Sequence, residues 1–158
     1  MKSITLMRAA ILVIAGIVPL AASADWRTSP EVFVPVYYAN QNPDVRDEFG
    51  YNDKGLTQHW IRSGMEEGRP SSPVFNAKYY LQANSDVASE IGSANYVGAA
   101  NHWYQTGIKE GRPSHPDFRV RAYLSNNPDV ARAVGQDNYR SAIQHYLEHG
   151  HEKRRKAD

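Results

Sequence analysis

Apolar positions along the chain fall into a helical pattern, and the pattern recurs. Tyr96, Ala99, Ala100, Trp103 and Tyr104 step by three and one, which lays a single apolar stripe along an α-helix. Tyr139, Ala142, Ile143, Tyr146 and Leu147 repeat that stripe 43 residues later. Shorter helices are predicted upstream, where Val45 and Phe49, Val87 and Ile91, and Val130 and Val134 each lie four apart on one face. Asn42-Pro43-Asp44, Asn84-Ser85-Asp86 and Asn127-Pro128-Asp129 read as their starts: an Asn cap, Pro at the first helical position in two of the three, and an acid near the positive end of the helix dipole. Gly50, Gly92 and Gly135 read as their ends. Asn52, Asn95 and Asn138 are expected to cap the longer helices. Gly64, Gly107 and Gly150 are expected to end those helices in the left-handed conformation.

The register of the repetition is set by His59, His102 and His145, spaced 43 and 43. Each is followed by an aromatic residue (Trp60, Trp103, Tyr146) and, five residues on, by Gly. Upstream stand Phe33, Phe75 and Phe118, each with a Tyr five residues later (Tyr38, Tyr80, Tyr123). Units of this length indicate stacked supersecondary elements, each unable to bury its apolar face alone. The expected fold is therefore all-α, with three stacked helical-hairpin repeats (33–74, 75–117 and 118–158) forming a short solenoid or compact helical array. Glu67-Gly68-Arg69-Pro70 and Glu110-Gly111-Arg112-Pro113 would join the units. The third unit replaces this connector with Glu152-Lys153-Arg154-Arg155, which reads as a polar end to the stack.

The first 24 residues have a different character. Lys2 and Arg8 precede an uncharged apolar run (residues 9–18), Pro19 breaks it, and Ala22-Ser23-Ala24 offers a cleavage site before Asp25. The run is too short to span a bilayer, which takes about 20 apolar residues. A secretory signal peptide is expected, with no transmembrane segment after cleavage, and so a periplasmic or secreted protein. Residues 25–32 read as a linker. Loss of Lys2 and Arg8 turns the formal charge from +1 to −1, which argues against a nucleic-acid partner. The chain has no cysteine, so neither disulfides nor thiolate chemistry are available to it.

The pattern Phe-x4-Tyr-Leu-x2-Asn-Pro-Asp-Val followed by His-Tyr/Trp-x3-Gly-x2-Glu-Gly-Arg resembles a helical repeat of bacterial exported and surface proteins. That repeat occurs beside haemolysin-type calcium-binding repeats and at the ends of some glycosyltransferases. Phe75, Tyr80, Leu81, Asn84, Asp86, Val87, His102, Trp103, Gly107, Glu110, Gly111 and Arg112 match most fully. Ser85 replaces the Pro, and the third unit lacks Glu-Gly-Arg. The resemblance implies a structural or binding module and brings no catalytic residue with it.

Candidate chemistry reduces to a few positions. His59, His102 and His145 recur identically, which favours a structural bond to a backbone carbonyl or an Asp of the adjoining unit over a row of ligands. Arg69 is expected to pair with Asp86 or Asp44, and Arg112 with Asp129 or Asp86, as ion pairs between units; the competing reading is an anion or polysaccharide site. His145-x2-Glu148-His149 spells the zinc motif of inverted metallopeptidases. His145 is already accounted for by the repeat, however, so the reading is metal binding by His145, His149 and His151 and not catalysis. No calcium loop is present, and the acids Asp44, Asp47, Glu48, Glu66 and Glu67 read as solvated or capping charges. Tyr37, Tyr51, Tyr79 and Tyr104 are the aromatics least determined by the helical stripe, and so candidates for exposed binding. Lys153-Arg154-Arg155-Lys156 reads as a solvated basic tail. No cofactor is expected. The function expected is a non-enzymatic exported module binding an envelope or secreted protein; the alternatives are an envelope glycan binder and a small zinc- or calcium-binding protein.

Overall fold

The computed structural model describes residues 25–150 and 155–158. The expected signal peptide, His151 and residues 152–154 lie outside them. The fold is all-α: among the described residues the β-type pairings are two isolated bridges, Ser72 with Phe75 and His115 with Phe118. No helix among these residues is long and apolar enough to cross a membrane.

The helices come in a recurring order. The first unit has α1 (Pro35–Gln41), α2 (Pro43–Phe49) and α3 (Asp53–His59), which runs on as a π-helical turn, Trp60–Gly64. The second has α4 (Ala77–Ala83), α5 (Ser85–Ile91), α6 (Tyr96–His102) and a π turn at Trp103–Gly107, ending in the short α7 (Ile108–Glu110). The third has α8 (Val120–Asn126), α9 (Pro128–Val134), α10 (Tyr139–His145) and a π turn at Tyr146–Gly150. Seven-residue helices are too short to stand alone in water, so packing holds them. Trp60, Trp103, Tyr38, Tyr80, Tyr123, Phe75 and Phe118 are the largest aromatic side chains with essentially no exposure. Each such ring contributes about 1.5–3 kcal/mol through removal from water. Phe33 stacks on Trp60 at 5.5 Å, Phe75 on Trp103 at 4.6 Å, and Phe118 lies against Tyr146 at 4.6 Å.

Two glycine expectations separate here. Gly50, Gly92 and Gly135 do end their helices at positive φ. Gly64, Gly107 and Gly150 are not left-handed caps. They lie inside the π turns, and what requires them is close approach. A Cβ at Gly107 would collide with the Tyr80 hydroxyl and sit 2.9 Å from the Trp103 ring; at Gly150 it would sit 2.9 Å from the Tyr123 hydroxyl. The actual caps come four residues after Gly64 and Gly107. Gly68 is left-handed, Arg69 N–H donates to Gly64 O at 3.1 Å and Gly68 N–H to Met65 O at 3.1 Å, the paired bonds of a Schellman ending. Arg112 N–H and Arg155 N–H make the same bond to Gly107 O and Gly150 O, at 3.0 and 3.1 Å.

Each unit closes on itself. Val34 N–H donates to Ser71 O, Asn76 N–H to Ser114 O, and Arg119 N–H to Ala157 O, at 2.7–2.8 Å. Arg155 and Lys156, expected in a solvated tail, thus belong to the third unit, while Lys153 and Arg154 lie outside the described residues; Ala157 is buried where Ser71 and Ser114 are buried in the other two. Neighbouring units meet where Gly68 rests on Tyr96 and Gly111 on Tyr139. Residues 25–32, expected as a linker, are likewise packed. Trp60 Nε1–H donates to Arg27 O at 2.8 Å, and Trp26 lies 6.3 Å from Tyr104.

Candidate functional site

The residues that recur form one network, built three times. Tyr38, Tyr80 and Tyr123 place their hydroxyls 2.8 Å from Nδ1 of His59, His102 and His145. Burial raises the pKa of all three tyrosines, so each hydroxyl keeps its proton. The histidines therefore hold the first helix of their own unit to the third. The expected partner, a carbonyl or Asp of the adjoining unit, is not the one bonded through Nδ1.

The arginines act the same way. Arg69 reaches Asp44 at 2.8 Å and Arg112 reaches Asp86 at 2.7 Å, both within a unit and not between units. These arginines hold their aspartates below the usual carboxylate range by hydrogen bonding. Arg155 pairs with Asp129 at 2.9 Å and lowers it similarly. Arg155 follows His145 by the ten residues that separate Arg69 from His59 and Arg112 from His102. That spacing was the signal for its role, hidden because the Gly-Arg-Pro string around it is absent.

Asn42, Asn84 and Asn127 complete the network. They stand at helix starts but make no side-chain cap. Each Nδ2 instead donates twice: to Tyr38 O and Pro70 O, to Tyr80 O and Pro113 O, and to Tyr123 O and Lys156 O, at 2.8–3.0 Å. Each Oδ1 accepts from the arginine, at 3.2–3.3 Å. The true caps are Asn52, Asn95 and Asn138, whose side chains accept from Gly55, Gly98 and Ser141 N–H. These recurring Tyr, His, Arg, Asp and Asn residues thus each have a partner within their own unit.

The metal reading fares differently. The His145 and His149 rings lie 5.4 Å apart, His145 Nδ1 is bonded to Tyr123, and His149 faces Glu148 at 3.7 Å. Among the described residues no three His, Asp or Glu side chains are grouped to hold a metal ion. The candidate tyrosines divide. Tyr51 is exposed and donates to Asn40 Oδ1 at 2.8 Å. Tyr79 is half-buried at a shallow groove beside Arg112. Tyr104 is half-buried, with Arg140 stacked 4.5 Å above its ring and Trp26 alongside. Tyr37 is half-buried, 3.3 Å from His115 Nε2.

Residues that do not recur gather at one place, where the first unit meets the third. Glu31 is buried, although Pro73 and Pro116 hold its position in the other connectors. Its carboxylate takes Arg140 at 3.1 Å, Gln144 at 3.4 Å and the Ser29 hydroxyl. Arg140 also donates to Tyr104 O at 2.7 Å, so one guanidinium ties the second and third units to the segment that leads into the first. Beside this joint lies a cavity of about 660 Å³, bounded by α1 on one side and by Gln144, Leu147 and Glu148 on the other. Its apolar walls are Val34, Val36, Leu147 and two prolines, with the Tyr37 ring between them. His115 stands next to it, its Nε2 3.3 Å from the Tyr37 hydroxyl, and burial lowers the pKa of its imidazole. His115 Nδ1 accepts from Asp117 N–H at 3.1 Å, a role that Ser72 Oγ plays for Val74 N–H.

Searches against family models, curated proteins and solved structures each return no match.

Proposed function

We propose that the chain is a non-enzymatic exported repeat module that binds a protein partner at the cell envelope, as the repeat it resembles would imply. The observation that carries this reading is the division between recurring and single residues. The recurring ones bond to each other and account for the fold. The single ones line one concave apolar surface, the common form of a binding site. Repeat arrays with such extended concave faces serve mainly to bind. The recurring hydroxyl–imidazole pairs, Tyr38 with His59, Tyr80 with His102 and Tyr123 with His145, have fully buried tyrosines and join two helices of one unit, which supports an architectural role for them over a hydrolytic one.

The reading is tested by affinity capture from envelope extract with the wild-type chain as bait, against Val36→Lys as the control. Capture of one protein by wild type and its loss with Val36→Lys is the expected result. Equal recovery with both baits would remove the groove from the function, and absence of any captured protein would remove the module reading. Export is checked separately by N-terminal sequencing of the cell-associated protein, where Asp25 is the expected first residue.

A further inference from the structure

We infer that the groove between the first and third units receives a short peptide segment carrying a bulky apolar side chain beside a Lys or Arg. This rests on the binding-module reading and names the partner's chemistry. The shape sets the first requirement. About 660 Å³ bounded by Val34, Val36, Tyr37 and Leu147 accommodates an aliphatic or aromatic side chain with a stretch of backbone. Val36 is 55% exposed. Its counterparts Lys78 and Arg121 lie over the rings of Tyr96 and Tyr139, at 5.5 and 4.9 Å. The residue matching those rings in the first unit is Asp53, so Val36 is an apolar side chain with no ring to cover.

Charge sets the second requirement. Among the described residues no Lys or Arg lines the groove, whereas Glu31 and Glu148 do. Asp117 adds its field at Tyr37 and Tyr146. Arg140 pairs with Glu31, which leaves Glu148 and Asp117 as the acids of the groove's surroundings, and His149 lies 3.7 Å from Glu148 at an exposed rim. Burial disfavours the charged form of His115 beside them. The local field is therefore negative around an apolar cleft, and a complementary occupant brings a cation within a residue or two of its apolar anchor. A neutral glycan lacks the cation, and aliphatic walls with a single ring offer it little stacking surface.

Peptide display against the immobilised full chain tests this. Random twelve-residue peptides selected on wild type are expected to be enriched in an aliphatic or aromatic residue adjacent to Lys or Arg. Val36→Lys, which restores the residue type found at Lys78, is expected to weaken the selected peptides at least tenfold without lowering the melting temperature. Glu148→Lys is expected to reverse the charge preference of the selected set. Enrichment of peptides lacking a basic residue overturns the inference, as does affinity unchanged by Val36→Lys. An empty selection does so too. If selection is empty while the envelope partner is still captured and lost with Val36→Lys, only the peptide chemistry fails. If neither wild-type experiment yields a ligand, the module reading falls with it. Glycan-array binding that is abolished by Val36→Lys would also overturn the inference and assign the groove to a sugar.

Discussion

In the second unit Arg112 reaches Asn84, Asp86 and Glu110, using both ends of its guanidinium. In the third, Arg155 reaches Asn127 and Asp129, and its Nε is buried without a hydrogen-bond partner. The sequence gives the cause. Glu67 and Glu110 stand two residues before their arginines, and Lys153 stands two before Arg155. The aromatic layer changes in parallel, with the fully buried Trp103 replaced by the half-buried Tyr146. The same design is therefore finished in the middle of the array and left partly open at its end. A repeat's consensus residues hold the unit together, and the local departures set how firmly.

The comparison is broken most strongly at the aromatic layer. Trp103→Ala is expected to destabilise by about 3–5 kcal/mol, the range for a large ring removed from a core. Tyr146→Ala is expected to cost clearly less, since that ring is half-exposed. Chemical denaturation read by circular dichroism measures both, and equal losses would refute the ranking. Next comes the asparagine. Asn84→Ala leaves the Tyr80 and Pro113 carbonyls without this donor, at about 1–3 kcal/mol for a buried polar group stripped of its partner. The same change at Asn127 tests whether the third unit depends on its bolt as heavily.

Acidity probes the unit boundary. His115 has a folded pKa below its unfolded value, so it favours folding above pH about 6.5 and that contribution fades as pH falls. The three aspartates are also lowered, so theirs persists until pH drops below about 4. Stability is thus expected to fall in two steps on acidification. His115→Ser, which restores the residue used at Ser72, should erase the upper step and leave the lower one. Melting temperature against pH decides this, and an upper step surviving in His115→Ser would reject the assignment. The smallest effect is expected from Lys153→Glu, which gives the third unit the acid that the others have. A surface pair contributes about 0.2–1 kcal/mol, and salt should diminish it. A lowered melting temperature would show that the third unit is built to another rule.

The helical register, the aromatic layer and the caps at Asn52, Asn95 and Asn138 were legible because they depend on local spacing. The bonds of Tyr80 to His102 and of Asn84 to Pro113 were not. They join residues 22 and 29 apart, and periodicity marks such positions without naming their partners. The π turns were equally hidden, because the glycine that permits them resembles the glycine that ends a helix. The joint at Glu31 and Arg140 spans 109 residues and occurs once, so repetition offered no clue to it. What did point to the groove was negative: Tyr37 fell outside the helical stripe, and Val36 breaks a series of cations.

The closed form of each unit also bears on how such a chain can grow. Val34 is bonded to Ser71, and Asn76 to Ser114, so entry and exit of a unit lie side by side. A duplicated stretch of gene inserted at that seam adds a complete loop and returns the chain to where it left. Neighbouring units then need only accept one more interface, not a new path. An architecture of this kind lengthens by whole copies, and a single copy is afterwards free to drift toward a private purpose while its siblings keep the scaffold.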